Sequence, residues 1–522
     1  LTGNPRAAFV AGVLFAFAPY RFPQSSHLHV LSSQWMPFAL YGFRRFFDSI
    51  GADPSRPGGR WRPLLGAAAA LVVQNLSSMY YLMFFSPFAT AYVLWEIWRR
   101  RLWHERRHWL QLGAAVVAVF ALTAPLLLPY AAVREQLQIA RGLGELSVYS
   151  ADVYSYFTAV SEQLVWGNIA RLYPKPEGDL FPGLVAIVLA VLGVATWRRD
   201  APENTTLPVN RIAWVLIVAA TLHVMAAAAT LLYRRVNLDV GLFQVRITNI
   251  DQLLLRALIL TAIAAVISPG YRARIGAFMR ARGFFVIALF LAVWLSLGVS
   301  PQTLGRPLNL TGSYSVLYEY VPGFDGLRVP ARFSMIVVLM LAVLGGYGAA
   351  TISTWRWATP ALVVLVSAFL AESMVRPFPI NGMGPLRDYA APEPRVYRPA
   401  RAPAVYQRLA RESDVVLAEL PIGQPDYDIR AMFYSMVHHG QLLNGYSGFF
   451  PRHYGLLAVA LSDVPGHPTT AWDALRGSGA SHVIVHEGAW LDDRGPRTTA
   501  ALQQLGAIEV FRDRGDVLMR LR

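Results

Sequence analysis

The stretch WLQLGAAVVAVFALTAPLLLPY, residues 109–130, runs for 22 residues without one charged side chain. A helix of that length rises about 33 Å, which matches the roughly 30 Å hydrocarbon core of a bilayer. Similar stretches recur through residue 371, including GLVAIVLAVLGVATW (183–197), IAWVLIVAATLHVMAAAATLLY (212–233) and FFVIALFLAVWLSLGV (284–299). A soluble fold does not need so many uniformly apolar helices, so the sequence predicts a protein that crosses a membrane many times.

Composition supports a lipid bilayer as the main partner. The chain of 522 residues is 55% hydrophobic and 15% charged, whereas soluble proteins carry about 25% charged residues. Its formal net charge is +15, almost all of it from arginine, because Lys175 is the one lysine. The arginines are scattered between the apolar segments and do not form one patch, so nucleic-acid binding is not predicted.

The pattern predicts about eleven spans, with boundaries uncertain by a few residues. They lie at 7–20, 34–47, 64–77, 79–98, 109–130, 181–197, 211–232, 252–268, 284–301, 333–352 and 358–375.

Arginine density predicts which loops face the cytoplasm. One alternate set of loops carries 19 Arg in 70 residues and includes WRRRLWHERRHW (98–109); the other carries 11 Arg or Lys in 114 residues. Cytoplasmic loops are the basic ones in membrane proteins, so the first set is predicted to lie inside. The loops 20–33, 131–180 and 302–332 then lie outside, together with everything after residue 376.

The composition changes after the last span. Residues 377–400 form a Pro- and Arg-rich linker, and 401–522 mix polar and apolar residues. Here AVYQRLAR (404–411) predicts a helix, VVLAELP (415–421) and HVIVHEG (482–488) predict buried strands, and Arg514-Gly515 predicts a hairpin turn. The predicted fold is therefore mainly α: a transmembrane helical bundle over 1–376 with a small extracytoplasmic α/β domain at 401–522.

Several classes of site are not predicted. The sequence has no cysteine, which excludes thiolate metal sites. An extracytoplasmic domain without disulfides suits a bacterium better than a eukaryotic secretory compartment. It contains no Walker A, GxGxxG or HExxH motif, so it is not expected to drive transport with ATP by itself. No metal ligands are named.

Three stretches resemble bacterial membrane proteins of the GT-C glycosyltransferase superfamily. The first is residues 1–40, which contain FAPYRFPQSSHLHVLSSQWMPF (17–38). The second is YEYVPGFDGLRVPARF (318–333). The third lies near the C-terminus and has two parts, VVLAELPIG (415–423) and MFYSMVHHGQLLNGYSGFFP (432–451). The resemblance implies transfer of a sugar from a polyprenyl-phosphate donor to an envelope glycan or lipid acceptor, on the outer face of the bacterial inner (plasma) membrane. It leaves the cofactor open, with a divalent cation as the candidate.

The resemblance also implies a catalytic carboxylate in the first outer loop, after the first span. That loop would precede residue 1, because the chain opens with LTGNPRAAFVAG and not with methionine. We therefore expect an N-terminal truncation, and the catalytic residue is not named.

Arg328 and Arg332 are the sharpest candidates for binding the donor phosphate. Pro330 fits the first position of a helix, which places Arg332 in the first turn, where a cation opposes the helix dipole. A bound phosphate would make this position favourable, because helix N-termini and guanidiniums both attract anions. The alternative is that both arginines pair with Asp325, Glu319 or lipid headgroups.

The polar stretch 17–38 and the long outer loop supply further candidates. Arg21, His27 and Gln34 are predicted to line a donor or acceptor path, although interfacial His residues with a snorkelling Arg explain them equally. The outer carboxylates Asp152, Glu319 and Asp325 are further candidates for binding substrate. For Asp152, and for Glu162 in the same loop, surface solvation is the default interpretation. In the C-terminal domain, Glu419 and His486-Glu487 lie near the ends of two strands, where ligands often bind.

Two functions remain open at this point. One is a GT-C-type transferase, and the other is a non-enzymatic transporter or assembly factor for an envelope lipid or polysaccharide. A transporter should carry polar residues at mid-membrane depth or broken helices in paired positions. The predicted spans carry few, mainly Gln74-Asn75, His223 and Arg256, which favours the enzyme.

Overall fold

The computed structural model describes ten ranges of the chain: 1–50, 60–137, 140–200, 207–233, 236–240, 243–247, 249–378, 388–393, 395–448 and 450–521. Contacts divide the chain into two compact units, Leu1–Pro377 (unit 1) and Phe378–Arg522 (unit 2). Part of the predicted linker 377–400 lies outside the described residues.

Unit 1 is built from helices, and the prediction of a mainly helical protein is confirmed. Each of the eleven predicted segments is occupied by a helix, with ends shifted by a few residues. The helices are α1 Pro5–Ala16, α2 Leu28–Leu31, α3 Trp35–Asp48, α4 Trp61–Ser77, α5 Met79–Arg100, α6 Arg106–Leu137, α7 Leu143–Val148, α8 Leu184–Ala195, α9 Arg211–Tyr233, α10 Ile250–Ile267, α11 Pro269–Phe278, α12 Phe284–Ser296, α13 Tyr314–Tyr320, α14 Ser334–Ile352 and α15 Ala358–Ser373.

Two short hairpins accompany these helices. One pairs β1 (Val236–Val240) with β2 (Phe243–Ile247), and the other pairs β3 (Gln302–Thr303) with β4 (Arg306–Pro307).

Not every helix is long enough to cross a bilayer alone. In the part of the chain that the structure describes, five helical stretches have the length and apolar character for a span: Arg106–Gln136, Arg211–Tyr233, Ile250–Ile267, Pro269–Ser296 and Pro330–Ile352. The α8 and α15 helices are apolar but shorter, and the 12 residues of α1 rise only about 18 Å. Eleven spans stay a prediction.

Helix α14 lies at the centre of unit 1. All but Val343 and Ala350 of its 19 residues are buried, which fits its lack of an amphipathic stripe. It contacts α1, α8 and α12. Its closest neighbour is α8: a Cβ built on Gly348 would lie 2.1 Å from the backbone oxygen of Leu189, and one on Gly193 2.1 Å from that of Leu344. Small residues let two membrane helices approach this closely.

Loops that are far apart in the sequence meet at the two ends of this bundle. At the end where α14 begins, the backbone nitrogen of Ala331 donates to the oxygen of Tyr149, and that of Ala151 donates to the oxygen of Ser296. We call this the Arg332 end. At the other end, Arg44, Arg99 and Arg100 surround the buried carboxylate of Glu96.

Unit 2 contains a five-stranded mixed sheet in the order β6-β5-β7-β9-β8. Strands β5, β6 and β7 are parallel, whereas β9 runs antiparallel to β7 and pairs with β8 in the predicted hairpin at Arg514-Gly515. The elements are α16 Ala404–Leu409, β5 Val416–Leu420, α17 Pro425–His438, β6 Gln441–Leu442, α18 Arg452–Ala460, α19 Pro468–Gly477, β7 His482–His486, α20 Arg494–Gln504, β8 Ile508–Asp513 and β9 Asp516–Arg520.

Alternation along the strands builds a core on each face of this sheet. Val483 and Val485 of β7 belong to one buried cluster, whereas Ile484 between them belongs to the other. The same face as Ile484 also carries Glu419, its partner in β5, and His486, two residues further on. The strand register therefore brings a carboxylate and an imidazole together at the carboxyl ends of two parallel strands.

The close packing of α8 on α14 gives a direct test. Gly348→Ala should lower the apparent melting temperature of the detergent-solubilised protein, because the new Cβ meets a backbone atom that cannot rotate away. Alanine otherwise favours a helix over glycine by about 1 kcal/mol. The matched control is Gly113→Ala in α6, where nothing lies within 4 Å of the added Cβ. Equal stability of the two variants would contradict this packing.

Candidate functional site

A buried ion pair lies at the Arg332 end of unit 1. Arg332 Nη2 lies 2.6 Å from Glu177 Oε1, and the two side chains are 3% and 9% exposed. Gln24 Nε2 donates to the second carboxylate oxygen of Glu177 at 2.7 Å, and Arg332 Nη1 donates to His29 Nε2 at 3.0 Å. Four residues from three distant segments thus form one network.

Backbone geometry positions both members of the pair. Pro330 starts a 3-10 turn, Pro330–Phe333, that continues into α14, as predicted, so Arg332 lies in the first turn. The Arg332 guanidinium does contact an anion, as the helix dipole favours. That anion is the carboxylate of Glu177 and not a bound phosphate. Glu177 has a left-handed backbone (φ 57°) in a turn closed by the Gly178 nitrogen donating to the Lys175 oxygen. Such a conformation persists only where the surroundings hold it.

Two imidazoles border the ion pair. The rings of His27 and His29 meet edge to face with centroids 5.8 Å apart, and the Arg332 guanidinium lies over the ring of Tyr80 at 4.6 Å. Because Arg332 donates to Nε2 of His29, that ring carries its proton on Nδ1. Partial burial, reinforced by the charge of Arg332, lowers the pKa of both histidines below the ordinary value. Both are therefore neutral at pH 7.

Arg328 is a more accessible cation than Arg332. Its side chain is 32% exposed, its guanidinium lies over the ring of Tyr149 at 4.9 Å, and Glu145 Oε1 is 3.9 Å from its Nε. That separation is too long for a hydrogen bond. The Arg328 guanidinium also contributes to the lowered pKa of His27. Arg328 can therefore meet an incoming anion more readily than Arg332.

The alternative interpretation, in which Arg332 pairs with Asp325 or Glu319, is wrong, because Arg332 pairs with Glu177. Asp325 accepts from Arg134 at 2.5 Å, and its backbone oxygen accepts from the Arg141 nitrogen. Glu319 is exposed on α13. Arg332 is itself buried, with 2% of its surface exposed.

The side chain of Arg21 is hydrogen-bonded to residues in and next to the loop 17–33, and its role along a donor or acceptor path stays a prediction. Its Nε donates to the Phe15 oxygen at 2.8 Å, Nη1 to the Leu31 oxygen at 3.1 Å and Nη2 to Ser33 Oγ at 2.9 Å. All three guanidinium nitrogens are thus bound to the chain on either side of it. Gln34, at the start of α3, is exposed and makes no side-chain cap. Its predicted role stays a prediction.

The prediction of a solvated Asp152 is wrong. The residue is fully buried. Its carboxylate accepts from the backbone nitrogens of Tyr154 at 2.9 Å, Leu304 at 3.0 Å and Gly305 at 2.9 Å. It therefore ties the long loop after α7 to the tip of the β3–β4 hairpin, because backbone N–H groups need an acceptor when they are buried.

Sequence reasoning missed Glu177, Gln24 and Tyr80. The signal for Glu177 was present in the turn residues of KPEG (175–178), where a carboxylate stands beside the one lysine. It also missed Glu372, which accepts from Trp166 Nε1 and from the nitrogens of Leu184 and Val185 at the start of α8.

The candidate divalent cation stays a prediction, which can be examined only in the residues that the structure describes. Among those residues, no group of three or more His, Asp or Glu side chains is placed to hold a metal ion. Divalent cations such as Mg²⁺ and Ca²⁺ prefer carboxylate and other oxygen ligands. We therefore derive no step through a metal.

Unit 2 carries a second polar cluster at the strand ends singled out from the sequence. His486 lies between two carboxylates, with Nε2 3.0 Å from Glu419 Oε2 and Nδ1 2.7 Å from Asp516 Oδ1. The hydroxyl of Tyr406 donates to the same Glu419 oxygen at 2.8 Å. Burial opposes the charge on His486, but the hydrogen bonds to Asp516 and Glu419 outweigh it and raise the pKa to about 9. The ring is therefore an imidazolium at neutral pH. Glu487, its neighbour, accepts from Arg512 at 2.7 Å instead.

The buried Arg332–Glu177 pair predicts that neutralising Glu177 lowers the stability of the protein more than neutralising a partly exposed carboxylate does. Glu177→Gln leaves the Arg332 guanidinium buried beside an uncharged amide, which costs roughly 3–5 kcal/mol, and should lower the apparent melting temperature in detergent. The double variant Arg332→Gln with Glu177→Gln should regain part of that loss. The control is Glu145→Gln, whose carboxylate is 33% exposed and where an ion pair contributes less than about 1 kcal/mol. Similar melting temperatures for the two single variants would refute the pair.

The raised pKa of His486 predicts a pH-dependent stability of unit 2. Its contribution is complete below the unfolded pKa of about 6.5 and decreases as pH rises through about 9, by up to about 3 kcal/mol. Burial raises the pKa of Tyr406 well above its ordinary value, so this neighbour does not titrate in that window. The protection factors of the β7 amides in the full-length protein, which are corrected for the intrinsic rise of exchange with pH, should fall across this range. His486→Gln should remove the pH dependence, and an unchanged profile would contradict the assignment.

Comparisons with known proteins leave this site without a described function. A family model described as a domain of unknown function (DUF6311) matches residues 1–247. The matched part includes His27, His29 and Glu177 but ends before Arg328 and Arg332. No curated protein and no solved structure matches the chain. The chain is thus similar, over its first 247 residues, to a family whose function is not described.

Proposed function

We propose that the chain is a membrane glycosyltransferase-like protein of the GT-C type. It takes a sugar from a polyprenyl-phosphate donor and passes it to an envelope glycan or lipid acceptor. The observation that carries the proposal is the exposed cation Arg328 beside two neutral imidazoles, His27 and His29, at one end of an apolar helical bundle. This arrangement suits a phosphate at the membrane surface and a proton leaving an acceptor hydroxyl.

The parts of the cluster take different roles in this proposal. Arg328 binds the donor phosphate, because a guanidinium forms charge-assisted, bidentate contacts with phosphate oxygens. His27, neutral and half-buried, is positioned to accept a proton, since its pKa lies below the ordinary value. The Arg332–Glu177 pair is a positioning element that fixes His29 and the loop 17–33. The carboxylate expected from the resemblance is not assigned to a residue here.

Charge distribution supports the outer face as the place of this cluster. Among the described residues of the arginine-rich loops, Arg44, Arg99 and Arg100 meet at the opposite end of the bundle, where Trp95 Nε1 also donates to the Met279 oxygen. By the positive-inside rule, this charge distribution supports the proposal that the Arg332 end faces the extracytoplasmic side of a bacterial inner membrane.

Donor binding tests the proposal at Arg328. In nanodiscs, Arg328→Ala should weaken binding of a polyprenyl-phosphate hexose by about 1.5–3 kcal/mol, the range for a hydrogen bond to a charged group. Arg328→Lys should regain only part, because lysine lacks the planar fork. His27→Ala should leave donor binding unchanged but reduce sugar transfer. The readouts are donor titration and transfer of radiolabelled sugar to extracted envelope glycans.

Arg306→Ala is the matched control. Arg306 is an exposed arginine on β4 at the same end of the bundle, and its loss should change neither readout. Equal donor affinity of Arg328→Ala and wild type would refute the phosphate site. Donor binding with movement of the lipid across vesicles, but with no sugar transfer by wild type, would favour the transporter alternative.

A further inference from the structure

Unit 2 encloses a cavity of about 680 Å³ at the carboxyl ends of β5 and β7. Its volume is within the range of small-molecule sites, roughly 300–1,000 Å³. Glu419, His486 and Asp516 line it, together with Tyr406 and Tyr427. The register of the parallel strands therefore places the polar cluster of unit 2 inside a concave surface.

One carboxylate that lines this cavity has an oxygen without a hydrogen-bond donor among the described residues. Glu419 is 2% exposed, and its Oε2 accepts from Tyr406 and His486. Its other oxygen, Oε1, is buried and has no hydrogen-bond partner among the described residues. A buried carboxylate oxygen left without a partner costs free energy that a donor from a ligand would recover.

The charges around the cavity balance. The carboxylates of Glu393, Glu419, Asp513 and Asp516 face the guanidiniums of Arg401, Arg430 and Arg514 and the imidazolium of His486. An anionic ligand would meet the Glu419 carboxylate in the interior, and a cationic ligand would meet the arginines. An uncharged ligand with both donors and acceptors meets neither penalty.

Aromatic surface completes the site. Tyr397 is half-buried and hydrogen-bonded to Glu393 at 2.7 Å, and Tyr427 lies 6.4 Å from the ring of His486 with its hydroxyl bound to the Ala390 oxygen. These hydroxyls are engaged, so the rings offer apolar faces. Hydroxyl groups of a sugar donate to carboxylates and accept from guanidiniums, and the C–H face of a sugar ring packs on an aromatic ring.

We propose that this cavity is a binding site for an uncharged sugar ring, with Glu419 Oε1 accepting from a sugar hydroxyl and Arg401 donating at the rim. The site lies entirely within unit 2, so the inference does not depend on the transferase proposed for unit 1. It holds equally if unit 1 transports lipid or has another function.

The test uses the full-length protein in nanodiscs. Fluorescently labelled protein is titrated with short neutral oligosaccharides of glucose, galactose, mannose or arabinose, and with uronic-acid and glucosamine oligomers of the same length. We expect at least one neutral series to bind and the charged series to bind more weakly. Glu419→Gln should weaken neutral binding about tenfold, the equivalent of about 1.4 kcal/mol.

Two further variants separate binding from folding. Arg401→Gln changes an exposed rim residue and should weaken binding severalfold with an unchanged melting temperature, so it decides the matter if Glu419→Gln misfolds. Glu509→Gln on β8 is the control: its carboxylate pairs with Arg512 outside the cavity, and affinity should not change. Absence of neutral binding at millimolar sugar, preference for a charged series, or wild-type affinity in Arg401→Gln would overturn the proposal.

Discussion

The enclosure of α14 is the constraint on which unit 1 depends. A helix with nearly all of its residues buried must be contacted from every side, and in an apolar bundle close van der Waals packing supplies the attraction. Gly193 and Gly348 let α8 and α14 approach until backbone atoms of one helix occupy the space of a missing Cβ on the other. The position of α14 fixes where its first turn, and hence Arg332, must lie.

The Arg332 end follows from that placement. A guanidinium in the first turn of a buried helix is unfavourable both for the dipole and for desolvation. Glu177 removes most of that cost, with Gln24 and His29 satisfying further hydrogen bonds. The loop 17–33 and the loop after α7 are thereby held against the start of α14. The half-buried His27 of the first loop and the partly exposed Arg328, just before α14, are left as groups that a ligand can reach.

Unit 2 gathers its polar groups by a different route. Parallel strands end at the same edge of a sheet, so residues at their carboxyl ends become neighbours whatever their separation in sequence. Glu419 and His486 are 67 residues apart, and Asp516 joins them through the antiparallel pairing of β7 with β9. Hydrogen bonds to the two carboxylates hold the imidazole of His486 charged.

Local patterns in the sequence determined the helices, the strands and the hairpin at Arg514-Gly515, because apolar periodicity and turn chemistry act over a few residues. They also determined that Arg332 would lie in a first turn and need an anion. Only the tertiary structure decided that this anion is Glu177, 155 residues away. It also decided that Arg21 and Asp152 form hydrogen bonds that hold loops in place, and that Glu419 lies within hydrogen-bond distance of His486. The reason is physical: a charged side chain pairs with whatever the packing brings within about 3 Å, and packing is a property of the whole bundle or sheet.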